Sequence, residues 1–147
     1  MKTVKARSRA RGWALQALYA WETRGSDPDQ LVPVLDQLTE TLNVSPRNRL
    51  YAVVLVQLVA RNLARIDAVI QRHLTNWSLH RLSVVDRNVL RLGVAELMFA
   101  DDVPQRVTIL EMVRLAEHYG TEESPRFVNG VLDAVMRRLN AEGAAPG

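Results

Sequence analysis

Arg81-Leu82-Ser83-Val84-Val85-Asp86-Arg87-Asn88-Val89-Leu90-Arg91-Leu92-Gly93-Val94-Ala95-Glu96-Leu97 is the stretch on which the fold turns. Ser83 to Asp86 has nearly the spacing of a capping box, with Asp in place of Glu, so a helix should start there. Val89, Leu90, Val94, Leu97 and Met98 then recur at helical spacing. Outward from this segment, Asp101-Asp102-Val103-Pro104 breaks the helix. Thr108-Ile109-Leu110-Glu111 is a complete capping-box pattern, and the helix it predicts stops at Gly120. Ser124-Pro125 opens a last helix with the stripe Phe127, Val128, Val131, Leu132, Val135 and Leu139. Residues 140–147 are small and polar and read as a disordered tail.

The other direction is helical too. Ala10, Trp13, Ala14, Ala17, Leu18 and Trp21 follow the spacing of one buried face. Gly25-Ser26 ends that helix, and Asp27-Pro28 starts another with the stripe Leu31, Leu35, Leu38 and Leu42. Ser45-Pro46 repeats the start signal. The helix after it should run to about Leu74, with Tyr51, Val54, Leu55, Leu58, Asn62, Ile66, Val69 and Ile70 on one side. Thr75 to Leu82 is a link containing Trp77. No segment alternates with period two for long enough to argue a strand. The fold class expected is all-α, a compact bundle of six to seven helices, with two helical subdomains meeting near Ser45 to Leu74. Residues 1–139 would form a single all-helical domain.

A chain of 147 residues suits about one domain. It has no cysteine, which excludes disulfides and thiolate metal sites. There is no apolar run long enough for a membrane span, and the basic N-terminus leads into no secretory signal, so a cytoplasmic protein is expected. No phosphate-cradling glycine loop, paired metal-spaced histidines or local catalytic triad is present, so neither enzyme chemistry, a metal nor a cofactor is expected. The charge is unevenly placed. Residues 1–24 hold Lys2, Lys5, Arg7, Arg9, Arg11 and Arg24 against Glu22 alone, while the remainder holds 13 basic and 15 acidic residues. Concentrated positive charge attracts phosphate and releases counterions, although a solvated terminus with no role has the same composition.

On a helical wheel, the face of the first helix opposite its apolar stripe gathers Ser8, Arg9, Arg11, Gly12, Leu15, Gln16 and Tyr19. Cations for phosphates, an amide for base edges and a ring for stacking are what unpaired RNA requires. The same face would also serve under a neighbouring helix or in a homodimer. The loop from Gly120 to Phe127 is a second candidate: a helix N-terminus with Arg126 beside it suits a phosphate. Phe127 could stack there, but its place in the apolar stripe favours the core. Asp86 reads first as a capping residue. Asn129-Gly130 inside a helix reads as a close-packing device rather than a site.

The block from Leu82 to Leu132, with Phe127-Val128-Asn129-Gly130-Val131-Leu132-Asp133 after Gly120-Thr121-Glu122-Glu123-Ser124, resembles the NusB family of bacterial transcription antitermination factors. Ala10-Arg11 and Ala17-Leu18-Tyr19 look like that family's opening helix. The resemblance implies an all-α fold and recognition of a boxA-type single-stranded element in nascent ribosomal RNA. It also implies pairing with a small-subunit ribosomal protein that acts as NusE, and service in an antitermination complex with RNA polymerase. Its RNA surface falls on Lys2, Lys5, Arg7, Arg9, Arg11, Gln16 and Tyr19, and on Glu123, Ser124, Arg126 and Phe127. Its partner surface falls on Asp86, with Leu90 and Glu96 as neighbours. The chain departs from the family pattern at Leu110, where Asn is frequent, at Glu117, where Lys is frequent, and at Ala95, where an aromatic is frequent. Ser8 interrupts the basic run.

Two rival readings remain. A similar helical domain precedes the catalytic part of an rRNA cytosine methyltransferase family, although this chain ends at Gly147 with no catalytic domain after it. A non-catalytic, self-associating scaffold would use the basic helix as an interface, and a dimer of that kind would mask the RNA face.

Overall fold

A computed structural model of the chain describes the backbone of residues 2–144 and the side chains of residues 5–143. Those residues form six α-helices and no strand: α1 Lys2–Thr23, α2 Leu31–Thr41, α3 Pro46–Arg72, α4 Val84–Phe99, α5 Gln105–Tyr119 and α6 Ser124–Ala144. Single 3-10 turns occupy Pro28–Gln30 and Leu79–Arg81. The chain divides into two compact units, Met1–Leu63 and Ala64–Gly147, within α3. Just before the division Asn62 leaves helical geometry, at φ −125° and ψ 21°. Its Nδ2 donates to the Leu58 carbonyl at 2.9 Å. A side-chain amide on the i−4 carbonyl competes with the backbone ladder, an identifiable cause of a kink.

In the first unit α1 packs against α2. The end of α1 is fixed by the turn that the sequence announces. Gly25 and Ser26 adopt left-handed φ of 105° and 60°, and the Ser26 N–H donates back to the Trp21 carbonyl at 3.2 Å. The Trp21 indole N–H donates to the Asp27 carbonyl. Asp27 caps the 3-10 turn, its carboxylate accepting from the Asp29 N–H at 3.0 Å, so α2 proper starts only at Leu31. Leu31, Val34 and Leu35 are buried, but Leu42 lies past the helix end and is half exposed.

The second unit is arranged around α4, against which both α5 and α6 pack. Every residue from Asn88 to Glu96 is buried. A surface helix buries a stripe, whereas a helix buried all round is a central one. This burial includes two charges. The Arg91 guanidinium meets the Asp67 carboxylate in a fork, Nε to Oδ1 at 2.8 Å and Nη2 to Oδ2 at 3.0 Å, and donates through Nη1 to Asn88 Oδ1 at 3.0 Å. Glu96 accepts from the Thr108 hydroxyl at 2.7 Å. Thr108 and Glu111 are therefore not a helix start. α5 begins three residues earlier, after Pro104, and both side chains lie buried inside it.

Gly93 is the close-approach glycine of this unit. A Cβ there would sit 2.7 Å from Leu132 Cδ1 and 2.8 Å from Cδ2. Gly130, expected to have that role, is exposed with open space around it, as is Asn129. α6 continues through Asn140 to Ala144, past the expected boundary at 139, because Ala141, Glu142 and Ala144 favour helix and Arg138 pairs with Glu142 at 3.0 Å. Residues 145–147 of the expected tail lie outside the described residues.

Gly93→Ala should destabilise the protein by about 1–3 kcal/mol through overpacking against the fully buried Leu132, while Gly130→Ala should stabilise it by about 0.5–1 kcal/mol. Urea unfolding of the two variants checks the opposite signs. Asp67→Ala should lower stability by about 3 kcal/mol in the same assay, because it leaves the Arg91 charge buried and unpaired.

Candidate nucleic-acid interface

The cations of α1 fall into two sets because of where the helix is buried. Its buried arc takes in Ala10, Ala14, Ala17, Leu18 and Trp21, as the apolar spacing predicts, and extends to Leu15 and Arg11. Trp13 is only half-buried. The centre of burial is thus rotated toward the side expected to face solvent. Arg11 is 2% exposed, and its guanidinium lies over the Tyr51 ring at 5.4 Å from the centroid. Arg7 lies over the same ring at 4.5 Å. These two cations hold α1 to the start of α3 by cation–π contact. Arg11 is not an open phosphate contact, contrary to expectation.

The remaining positions make a coherent stripe. Lys5, Arg9, Gly12, Gln16 and Tyr19 follow one another at spacings of four, three, four and three residues. That spacing keeps them on one side of the helix along roughly 21 Å of its axis. Lys5, Arg9 and Tyr19 are exposed, Tyr19 by 50%, and Gly12 and Gln16 are half-buried. Neither Lys5 nor Arg9 has a hydrogen-bond or ion-pair partner among the described residues. Two exposed cations and an exposed ring thus share one side of the helix with the half-buried Gln16. The Lys2 side chain lies outside the described residues.

At the N-terminal end of the stripe is a notch of about 230 Å³, lined by Lys5, Ala6, Arg9, Arg47 and Asn48. Arg47 and Asn48 belong to the first turn of α3, whose start is set by the Ser45 hydroxyl accepting from the Asn48 N–H. Sequence reasoning missed these two residues and Tyr51. The signal was present: Arg47-Asn48-Arg49 places two cations directly after a helix start.

The loop at the start of α6 is more closed than expected. Ser124 is 1% exposed, and its hydroxyl accepts from the Thr121 N–H at 3.0 Å. Gly120 leaves the space for that hydroxyl, since a Cβ there would lie 2.5 Å from it and 2.8 Å from the Ala116 carbonyl. Ser124 therefore builds the loop rather than offering itself to a ligand. Glu123 and Arg126 are exposed, and Phe127 is half-buried.

The three partner candidates separate sharply. Leu90 is fully buried and Glu96 is 1% exposed, so neither can touch a partner, contrary to expectation. Asp86 is half-buried. Its N–H donates to the Ser83 hydroxyl at 3.1 Å, as the capping reading requires. Its Oδ1 is buried without a hydrogen-bond partner. Among the described residues no group of acidic or histidine side chains could hold a metal, and no helix is long and apolar enough to cross a membrane.

Tyr51→Leu should cost about 1 kcal/mol in urea unfolding, because it removes the face on which Arg7 and Arg11 rest.

The family model described as the NusB family matches residues 8–137. The transcription antitermination protein NusB of Sorangium cellulosum is 46% identical over 134 residues, covering 91% of this chain and 94% of that protein. The corresponding protein of Chloroherpeton thalassium is 32% identical over 140 residues, and this chain spans 95% of itself and only 65% of that relative. Among solved structures, a complex of antitermination factors NusB and NusE with dsRNA contains a chain of TM-score 0.80 and 36% identity. The match covers 91% of this chain and 98% of that one. With an all-helical architecture, exposed cations and an exposed ring along one side of α1, and a family match over most of its length, the chain belongs to the NusB family.

Proposed function

We propose that this chain is an RNA-binding transcription antitermination factor. It takes a boxA-type single strand in nascent ribosomal RNA and acts with a small-subunit ribosomal protein in the role of NusE. The observation that carries this reading is the stripe of exposed Lys5, Arg9 and Tyr19, with the half-buried Gln16 between the cations and the ring. Its two unpartnered cations would neutralise phosphates, and its ring would stack on an unpaired base. A relative at 36% identity has been captured with NusE and dsRNA, which supports RNA as a ligand and a NusE-type protein as a partner. Of the three residues weighed for the protein contact, the half-buried Asp86 is the one that solvent reaches, so the ribosomal protein would meet the chain there rather than at Leu90 or Glu96. The relatives quoted above are antitermination proteins, which does not favour the methyltransferase-accessory reading.

Fluorescence anisotropy tests the proposal with a boxA-like single strand, a scrambled strand and a duplex of the same sequence, across a salt series. With about four phosphates neutralised, log K should fall against log salt with a slope near −3. The boxA-like strand should be preferred, and the ribosomal protein should strengthen that preference. Lys5→Glu/Arg9→Glu should weaken binding more than about twenty-fold near 0.1 M salt, the loss of at least two phosphate contacts. A double variant that keeps its RNA affinity but changes association state would support the scaffold instead.

A further inference from the structure

We propose that Arg47, with Asn48 beside it, forms a phosphate-binding subsite with Lys5 and Arg9 that extends the RNA track from α1 onto the first turn of α3. The inference rests on the RNA-binding reading and adds residues to it. The notch is lined by three cations, one amide and one alanine, with no carboxylate. None of Lys5, Arg9 and Arg47 has a hydrogen-bond or ion-pair partner among the described residues. Like charges gathered around an open cavity repel one another until an anion enters, and a phosphate diester is the anion an RNA strand supplies.

The position of the notch is set by the core. Arg7 and Arg11 of α1 rest on Tyr51, one helical turn after Arg47 on α3. That contact fixes the two elements at the place where the notch lies. Arg47 is therefore held near Lys5 and Arg9 by a neighbour's packing, not by chain proximity. A strand stacked at Tyr19 and following the stripe toward Lys5 would meet Arg47 and Asn48 at its end. Arg47 contributes charge there, and the Asn48 amide contributes a directed donor.

Anisotropy of the full chain with the boxA-like and scrambled single strands separates the possibilities, using Arg47→Ala, Asn48→Ala and, as an equal-charge control, Arg49→Ala. The notch predicts that Arg47→Ala weakens both strands about five-fold near 0.1 M salt and makes the salt slope shallower by about 0.7, one phosphate contact. Arg49→Ala, outside the notch, should change the slope by less than half as much. An Arg47→Ala slope equal to wild type, with wild-type binding intact, would overturn the subsite and leave the RNA reading standing. Loss of binding to the ribosomal protein or of self-association, without loss of RNA, would likewise overturn it. Absence of RNA binding by the wild type would overturn both.

Discussion

The second unit depends on a charged pair between a helix that solvent barely reaches and its neighbour. Arg91 lies in the middle of α4 and is 5% exposed, yet it carries a full charge that must be answered. Asp67 answers it with both carboxylate oxygens, and Asn88 takes a third N–H. A fork of this kind fixes direction as well as distance, because the guanidinium is planar and its donors are rigid. It therefore sets α4 against the second half of α3 in one orientation. On the other side Glu96 receives the Thr108 hydroxyl and ties α4 to α5. Gly93, between these two polar anchors, admits Leu132 of α6. One helix thus carries an ionic anchor, a hydrogen-bond anchor and a gap for close packing within six residues. Such polar groups contribute little net stability over an apolar core, but an incorrect arrangement would leave a charge unpaired.

The first unit uses positive charge differently. Six basic residues lie in the first 24 positions, and composition suggests that they act together. The helix divides them. Arg7 and Arg11 point toward Tyr51, while Lys5 and Arg9 point to solvent. The first pair is structural, and reversing its charge would disturb the packing that positions the second. The salt dependence of RNA binding should count only the second pair and whatever cations the rest of the fold brings near.

Much of the architecture was legible because helices announce their ends. Gly25-Ser26, Ser45-Pro46, Ser83 and Ser124-Pro125 each mark a boundary that the structure keeps. What was not legible depends on what covers each helix. A period of 3.6 tells which residues share a side but not how wide the buried arc is. For this reason Arg11 and Leu15 passed as surface residues. Leu90 already stood in the apolar stripe, and its partner role, like that of Glu96, came from the family resemblance rather than from the period. Thr108 and Glu111 matched a capping box by spacing alone, while the backbone had already turned helical at Gln105. Gly130 looked constrained and is free, whereas Gly93 looked ordinary and is constrained, because only the neighbouring helix decides which glycine is crowded. The candidate site followed the same rule. Lys5, Arg9, Gln16 and Tyr19 could be read from one helix, but Arg47 and Asn48 required knowing which helix end lies beside it.

This division of labour bears on how the RNA surface would tell one strand from another. Phosphate contacts fix the register of a strand but carry no sequence information, so Lys5, Arg9 and Arg47 would serve any single strand alike. The groups that can distinguish bases are fewer. Tyr19 offers a ring that accepts every base face, with preference set by stacking strength, and Gln16 offers an amide that can address a base edge. Gln16 lies between the cations and the ring on the same stripe, so a strand held by its phosphates at one end and stacked at the other would pass it. Selectivity would then reside in a short middle segment whose geometry the two ends enforce. Removing a cation should weaken all strands together, whereas replacing Gln16 should narrow the gap between preferred and scrambled strands with little change in salt slope.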